Sequence, residues 1–213
     1  EIKNFSARIR IPGNRFEIEQ AECLFNGFRL TLVGSLLQPT FEDPAAGHQS
    51  LLGRIDIIRQ RREVLDIIAR EMRRYKTIGN NPPHIHIELV GDLEHPESIE
   101  ATLDLNASNL LRNNYQCDDL YARAHYLHPD LFIEQVNITD QYGELSADAK
   151  WRIGSEKILF NVQSTIDSPT LLRSFTKSNA LNEINFATPP VIEADGEIYI
   201  SGKNAESTYG MYA

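Results

Sequence analysis

Apolar and polar residues alternate along most of this chain. Phe5, Ala7, Ile9 and Ile11 are separated by polar residues, and the same two-residue period recurs around residues 28–33, 84–89, 99–106, 145–151 and 158–163. This period predicts strands that each carry one apolar and one polar face. Strands of a parallel sheet are covered on both faces and read as continuous apolar runs, so the alternation favours antiparallel pairing.

Two segments have helical periodicity instead. In residues 49–76, apolar residues recur at three, four or seven positions, which predicts one helix of about 25 residues. Gly79 and the Pro82-Pro83 pair follow it as stop signals. A shorter helix is predicted from Ser168, as its N-cap, with Pro169 at the first helical position.

An internal repeat is visible in the same pattern. Ile18-Glu19-Gln20 recurs as Ile133-Glu134-Gln135, 115 positions later, and each triplet is followed by strands, a helical segment, a Pro-Pro pair and one more strand. We therefore expect a single domain over residues 1–213, built from two copies of a unit at about 5–93 and about 99–203.

The predicted fold class is mainly β (α+β). It consists of a long, curved antiparallel sheet with one long and one short helical insertion. One-sided strands in this number create more apolar surface than two helices can cover. Either a sandwich or a closed barrel covers the apolar face, or the sheet curls into an open groove whose lining is free to bind something else.

Composition and charge limit the class of partner that the chain can bind. The chain has 213 residues, a net charge of −9 and a pI of about 5.2, which argues against a nucleic-acid partner. It begins with Glu rather than Met, so we expect a fragment of a longer protein. Cys23 and Cys117 are far apart in sequence, and two readings stay open for them: a disulfide or two buried thiols.

His84, His86 and Glu88 are the sharpest chemical signal. Alternate residues of a strand point the same way, so two imidazoles and a carboxylate would share one face, as in the beginning of a metal site. His125 and His128 would complete such a site only if the fold brought them across. The alternative is that all five are polar residues of exposed strands and turns. Because no common catalytic or nucleotide motif accompanies them, we expect no catalytic residue, no metal and no cofactor.

Two further features have two readings each. The 49–76 segment carries eight basic residues, so the helix either lies on an anionic membrane or caps the sheet with a solvated charged face. Trp151, the only tryptophan, shares the apolar phase of Ala147 and Ala149 and is either a core residue or part of a groove lining.

The strand phrases of residues 98–153, the turn Gln141-Tyr142-Gly143-Glu144-Leu145 and the closing PPVIEADGEIYISGKN resemble the AsmA-like and TamB-like envelope proteins. This resemblance implies a taco-shaped β-groove in the periplasm of a double-membraned bacterium, anchored in the inner membrane through other parts of the full-length protein. It also implies a role in moving phospholipids towards the outer membrane or in outer-membrane homeostasis, without catalytic residues.

On this basis the expected partners are a phospholipid or other acyl lipid, the membrane and neighbouring repeats, with no nucleic acid. The alternatives are a sandwich-like structural or interaction module and a metal-dependent enzyme that uses His84, His86 and Glu88. The residues expected to line the lipid groove are Phe28, Leu30, Leu32, Ile85, Ile87, Leu89, Leu103, Leu105, Leu145, Trp151, Ile158, Phe160 and Val162.

Overall fold

A computed structural model of the protein describes residues 2–37, 66, 68–175, 188–199 and 208–212. Within these residues twelve strands form one sheet. The strands are β1 (Ile2–Arg10), β2 (Arg15–Phe25), β3 (Phe28–Leu37), β4 (Tyr75–Thr77), β5 (His84–Asp92), β6 (Glu100–Arg112), β7 (Tyr115–Leu127), β8 (Asp130–Asp140), β9 (Gly143–Arg152), β10 (Lys157–Ser164), β11 (Ile192–Tyr199) and β12 (Thr208–Tyr212).

The sheet is open and curved, as the alternation predicts. Its strand order is β1-β2-β3-β5-β6-β7-β8-β9-β10-β11-β12, so β1 and β12 are the two edges. All pairs are antiparallel except β3 and β5, which lie parallel because the chain crosses over through residues 38–83. Short β4 occupies the place beside the end of β6 that β5 does not reach.

Helical structure occurs at both predicted places, with different limits. Residues 68–72 are helical, but Tyr75–Thr77 then form β4, so the prediction that the first helix continues to residue 76 is wrong. Residues 49–65 and 67 of that predicted helix lie outside the described residues. The second helix, α1, spans Ser168–Phe175. Its N-cap is Asp167 rather than Ser168, because the Asp167 carboxylate accepts a hydrogen bond from the Thr170 amide at 3.1 Å.

From Ser6 onwards, the register of β1 to β3 matches that of β7 to β9 at the constant spacing of 115 residues. In both groups the Ile-Glu-Gln triplet interrupts the ladder as a bulge: Arg8 opposes Gln20 as Arg123 opposes Gln135, and Ile18 opposes Gly34 as Ile133 opposes Ala149. Glu19 lies 3.7 Å from Arg8, and Glu134 lies 3.2 Å from Arg123. The triplet therefore has the same structural role twice. The limits of the two predicted copies stay a prediction.

The fully packed region is small and lies at one end of the sheet. Its buried members are Ala107, Leu110, Tyr115, Cys117 and Ile166, with Tyr75, Leu120, Ile138, Leu145 and Leu171 packed against them. Cys117 on β7 belongs to this cluster, whereas Cys23 is on β2, and strands β3, β5 and β6 lie between the two. Both cysteines are free thiols, so of the two readings left open the disulfide is excluded.

Candidate functional site: an apolar sheet face with an end pocket

The thirteen residues expected to line a groove all lie on one face of the sheet. The ladder joins Leu30 to Ile85 and Ile85 to Leu105, and it joins Trp151 to Ile158 at the other side of the sheet. Because directly opposed residues point to the same side, these pairs place the apolar positions of β3, β5, β6, β9 and β10 together. We call this surface the apolar face. Its use as a groove lining stays a prediction.

The apolar face is only partly covered by described elements. Phe28 is buried, and the other twelve predicted lining residues are half-buried. The substantial contacts between described strands all join hydrogen-bonded neighbours, so no second sheet packs on this face within the described residues. The sandwich architecture is therefore not the arrangement of these strands. The described elements that pack on this face lie at one end of it, where α1 and residues 68–77 contact β6 and β7.

The apolar face is corrugated. Small residues occupy the middle of alternate strands and large residues close both ends: Tyr126-Ala124-Ala122-Leu120 on β7, Trp151-Ala149-Ala147-Leu145 on β9 and Ile198-Gly196-Ala194-Ile192 on β11. The strands between them carry Ile133 and Val136 on β8 and Phe160 and Val162 on β10. The result is three shallow furrows, one each on β7, β9 and β11, that run parallel to the strands.

An apolar pocket of about 170 Å³ lies at the end of the β7 furrow. It is lined by Tyr75, Leu110, Arg112, Tyr115, Cys117, Leu120, Ile138, Leu171 and Phe175. Leu120 closes the β7 furrow and is also a wall of the pocket, so the two are adjacent on the same face. This volume is comparable to cavities that hold a benzene-sized ligand.

Arg112 is the charged wall of this pocket, with a side chain that is 4% exposed. Its guanidinium lies between two aromatic rings, 4.8 Å from the centre of Tyr75 and 4.0 Å from the centre of Phe175. Nη2 donates to Glu71 Oε2 at 2.9 Å and Nε donates to the Ser174 carbonyl at 3.2 Å. Nη1 is buried and has no hydrogen-bond partner in the described part of the chain.

Two guanidinium groups, those of Arg112 and Arg74, contact one carboxylate beside the pocket. Glu71 is shared, because its other carboxylate oxygen lies 2.8 Å from Arg74 Nη1. The hydrogen bond from Arg112 and the nearby Arg74 charge lower the pKa of Glu71, although partial desolvation opposes this. One carboxylate thus faces two guanidinium groups, and Glu71 is ionised at neutral pH.

Other pocket walls are uncharged at neutral pH. Burial raises the pKa of the Cys117 thiol to about 12, and burial likewise raises the pKa of Tyr75 and of Tyr115. Asp118 and Asp119 add to the effect at Cys117, and Asp140 adds to it at Tyr115. Within the pocket lining, Arg112 is therefore the group that carries charge.

His84, His86 and Glu88 lie together on the opposite, polar face of the sheet. Thr31 Oγ1 lies 2.9 Å from His84 Nε2 and 2.8 Å from His86 Nδ1, and His86 Nε2 lies 3.3 Å from Glu88 Oε1. The imidazole nitrogens in these contacts therefore face neighbouring side chains and do not point together towards a position that a metal ion could occupy. No group of three or more His, Cys, Asp or Glu side chains among the described residues has the geometry to hold a metal ion.

The two remaining histidines do not complete that cluster. His125 packs beside Phe132 on the polar face, with ring centres 6.4 Å apart, and His128 lies 3.1 Å from the Tyr126 hydroxyl in the β7–β8 turn. The structure therefore gives the metal-enzyme alternative no assembled centre within the described residues.

The end pocket is not among the sites predicted from the sequence. Its signal is the position of Arg112, which follows Leu110 in the apolar phase of β6 and is the one charged residue there near that end. Asn109, whose φ is 54°, concealed this phase, because the β6–β7 ladder lacks a pair there and buried Ala107 and Leu110 on either side of it are an odd number of residues apart. Of the basic segment 49–76, for which membrane binding and capping of the sheet are the two predictions, residues 49–65 and 67 lie outside the described residues.

No protein-family model matches the chain, and no curated protein and no solved structure is significantly similar to it. None of the helices in the described part of the chain is both long and apolar enough to cross a membrane.

Proposed function

We propose that this chain is a non-catalytic, lipid-binding segment of an AsmA-like bacterial envelope protein. Its apolar face shields the acyl chains of phospholipids during transfer between the inner and outer membranes or during outer-membrane homeostasis. The proposal includes a periplasmic location and an inner-membrane anchor in other parts of the full-length protein. Neighbouring repeats are its expected protein partners.

The observation that carries this proposal is the continuity of the apolar face. Seven adjacent strands, from β3 to β10, contribute apolar residues to it without a second sheet above them in the described residues. At a strand spacing of about 4.8 Å, that face extends for roughly 29 Å. Each methylene removed from water contributes about 0.8 kcal/mol, so an acyl chain gains substantially by lying there.

The edge strand β1 supports the proposal that neighbouring repeats are protein partners. Every residue of β1 is exposed, including Phe5 at 69% and Ile9 at 52% on the apolar face. An unpaired antiparallel edge with an apolar row accepts another strand, which would extend the same face. A neighbouring repeat of the same kind fits this edge.

Trp151 provides a direct test, because it lies on the apolar face and its indole N–H donates to the Ser155 carbonyl at 2.9 Å. The chain contains no other tryptophan. Phospholipids with bromine atoms on their acyl chains quench tryptophan on contact. We expect a dibrominated phosphatidylglycerol, presented below its aggregation concentration as a short-chain lipid, to quench Trp151 saturably.

The matched control moves the indole to the other side of the sheet. A double variant, Trp151→Phe with Lys150→Trp, places it one residue earlier, on the exposed polar face of β9. We expect this variant to bind the lipid, as judged by displacement of an apolar fluorescent dye, but to show little quenching. Equal quenching of both proteins, or no saturable quenching of either, would show that the apolar face does not hold acyl chains.

A further inference from the structure

We infer that the pocket at the end of the β7 furrow is an anion subsite, in which Arg112 binds the carboxylate of a single-chain fatty acid. This inference rests on the proposed function, since it assigns a lipid class to one end of the apolar face. It concerns recognition of a head group, which the apolar furrows themselves do not provide.

The incomplete hydrogen bonding of Arg112 is the first argument. A buried guanidinium N–H without a partner has lost its hydration without compensation, and this loss is larger for a charged group than for a neutral one. Nε and Nη2 are bonded, whereas buried Nη1 has no hydrogen-bond partner among the described residues and belongs to a side chain that lines the pocket. An acceptor oxygen of a bound ligand would give Nη1 a hydrogen-bond partner.

The charges of Arg112, Arg74 and Glu71 also favour an anionic ligand. Glu71 is the one described carboxylate in contact with Arg112, and it is shared with Arg74. A monoanion brought to Nη1 would bring the three groups and the ligand to neutrality. A neutral ligand such as an alcohol would leave the excess positive charge in an apolar site, so the pocket discriminates by charge as well as by hydrogen bonding.

The volume of the pocket and the direction of the β7 furrow favour a single-chain fatty acid as the ligand. The 170 Å³ pocket admits a carboxylate with the first few methylenes, whereas a glycerol-based phosphate head group needs more room. An acyl chain that leaves the pocket passes over the side chain of Leu120, which borders both the pocket and the furrow, and enters the furrow formed by Ala122 and Ala124. A linear acyl chain can therefore hold its acid group at Arg112 and lie parallel to β7.

Binding by the wild-type protein tests the inference without any substitution. Dodecanoate, dodecan-1-ol and dodecyl phosphate would be compared by displacement of an apolar fluorescent dye at about pH 8, where an ordinary carboxyl group is ionised. We expect dodecanoate to bind about tenfold more tightly than the alcohol, the size of effect given by one hydrogen bond to a charged group. We also expect it to bind more tightly than dodecyl phosphate.

Substitution of Arg112 tests whether this side chain causes the preference for dodecanoate over dodecan-1-ol. In Arg112→Gln, which keeps donors but removes the charge, the affinity for dodecanoate should fall to that of the alcohol, with the alcohol affinity unchanged. Arg123→Gln on the polar face is the matched control and should retain the preference, and circular dichroism checks the fold of both variants. If Arg112→Gln does not fold, the wild-type comparison still decides the inference.

The outcomes separate the two proposals. Equal affinity for dodecanoate and dodecan-1-ol would overturn the anion subsite and leave the apolar face as an acyl-binding surface. Tighter binding of dodecyl phosphate would overturn the assignment to a carboxylate. Binding of none of the three ligands would overturn the proposed function together with the subsite.

Discussion

Asp140 Oδ2 accepts a hydrogen bond from the backbone N–H of Asp167 at 3.0 Å, and this bond ties the end of β8 to the start of α1. Oδ2 also accepts from the Tyr115 hydroxyl at 3.2 Å, and Oδ1 accepts from the amides of Tyr142 and Gly143 at 2.8 and 3.1 Å. One buried carboxylate thus fixes the β8–β9 turn, the first residue of β7 and the residue that caps α1.

Asp140→Ala should reduce the free energy of unfolding by about 3 kcal/mol, because it leaves several buried donors without an acceptor. Urea denaturation measures this loss, and hydrogen exchange should show faster opening at residues 166–175. Asp148→Ala, an exposed carboxylate on β9, is the control and should change stability by less than about 0.5 kcal/mol. A loss at Asp140 no larger than that control would show that the carboxylate does not hold α1.

Gly34 marks the place where the two repeated strand groups differ. Its counterpart in the second group is Ala149, but β3 pairs in parallel with β5, and a Cβ at Gly34 would collide with the Leu89 carbonyl and lie 3.1 Å from its carbon. Gly34→Ala should therefore cost about 1–3 kcal/mol in urea denaturation, since β5 must shift.

The reciprocal change provides the comparison. Ala149→Gly removes a methyl group and adds chain entropy, so its expected cost is only about 0.5–1 kcal/mol. If Gly34→Ala proved neutral or stabilising, β3 and β5 would not approach as closely as described.

The strands and the shared apolar face could be predicted from the sequence, because a two-residue period fixes both the extended backbone and the side on which Leu103, Phe160 and Val162 lie. The hairpin at Asn26-Gly27 was missed, although this dipeptide strongly favours a two-residue turn, and both residues have positive φ, 49° and 88°. Parallel pairing of β3 with β5 was not predictable from alternation, because it depends on the crossover through residues 38–83.

The end pocket depends on contacts between residues distant in sequence. Arg112, Glu71 and Phe175 meet only after β6, the 68–72 helical residues and α1 are packed together. Tyr75 followed the helical period of the preceding segment, yet it pairs with Arg112 across β4 and β6, where strand pairing and ring packing outweigh local periodicity.

Cys117 should be unreactive in the folded protein. Its pKa is raised to about 12 by burial, so little thiolate forms at neutral pH. In a Cys23→Ser variant, mass spectrometry after iodoacetamide treatment should find Cys117 unmodified in buffer and fully modified in urea. Rapid modification of the folded variant at the rate seen in urea would contradict the buried position.

The same shift predicts a pH dependence of stability. The unfolded thiol ionises near its ordinary pKa of 9.0, whereas the folded thiol stays protonated until about pH 12. Ionisation of the unfolded state alone lowers the free energy of unfolding as pH rises between these values. Cys117→Ala should show a smaller decline from about pH 9 upwards than the wild type, as urea titrations at several pH values would measure. Identical slopes would mean that Cys117 ionises equally in both states.

The corrugation of the apolar face predicts how acyl chains lie on it. If chains occupy the furrows, Ala122→Leu in the β7 furrow, next to the Arg112 pocket, should weaken dodecanoate binding by about fivefold or more, because the new side chain displaces several methylene contacts. A uniformly apolar surface would instead bind as well or better after this gain in apolar area. Ser146→Leu, on the exposed polar face of β9, adds a comparable side chain outside the furrow and should leave dye-displacement affinities unchanged. Equal or tighter binding of dodecanoate by Ala122→Leu would therefore exclude alignment of the chain along β7, even if the apolar face binds lipid.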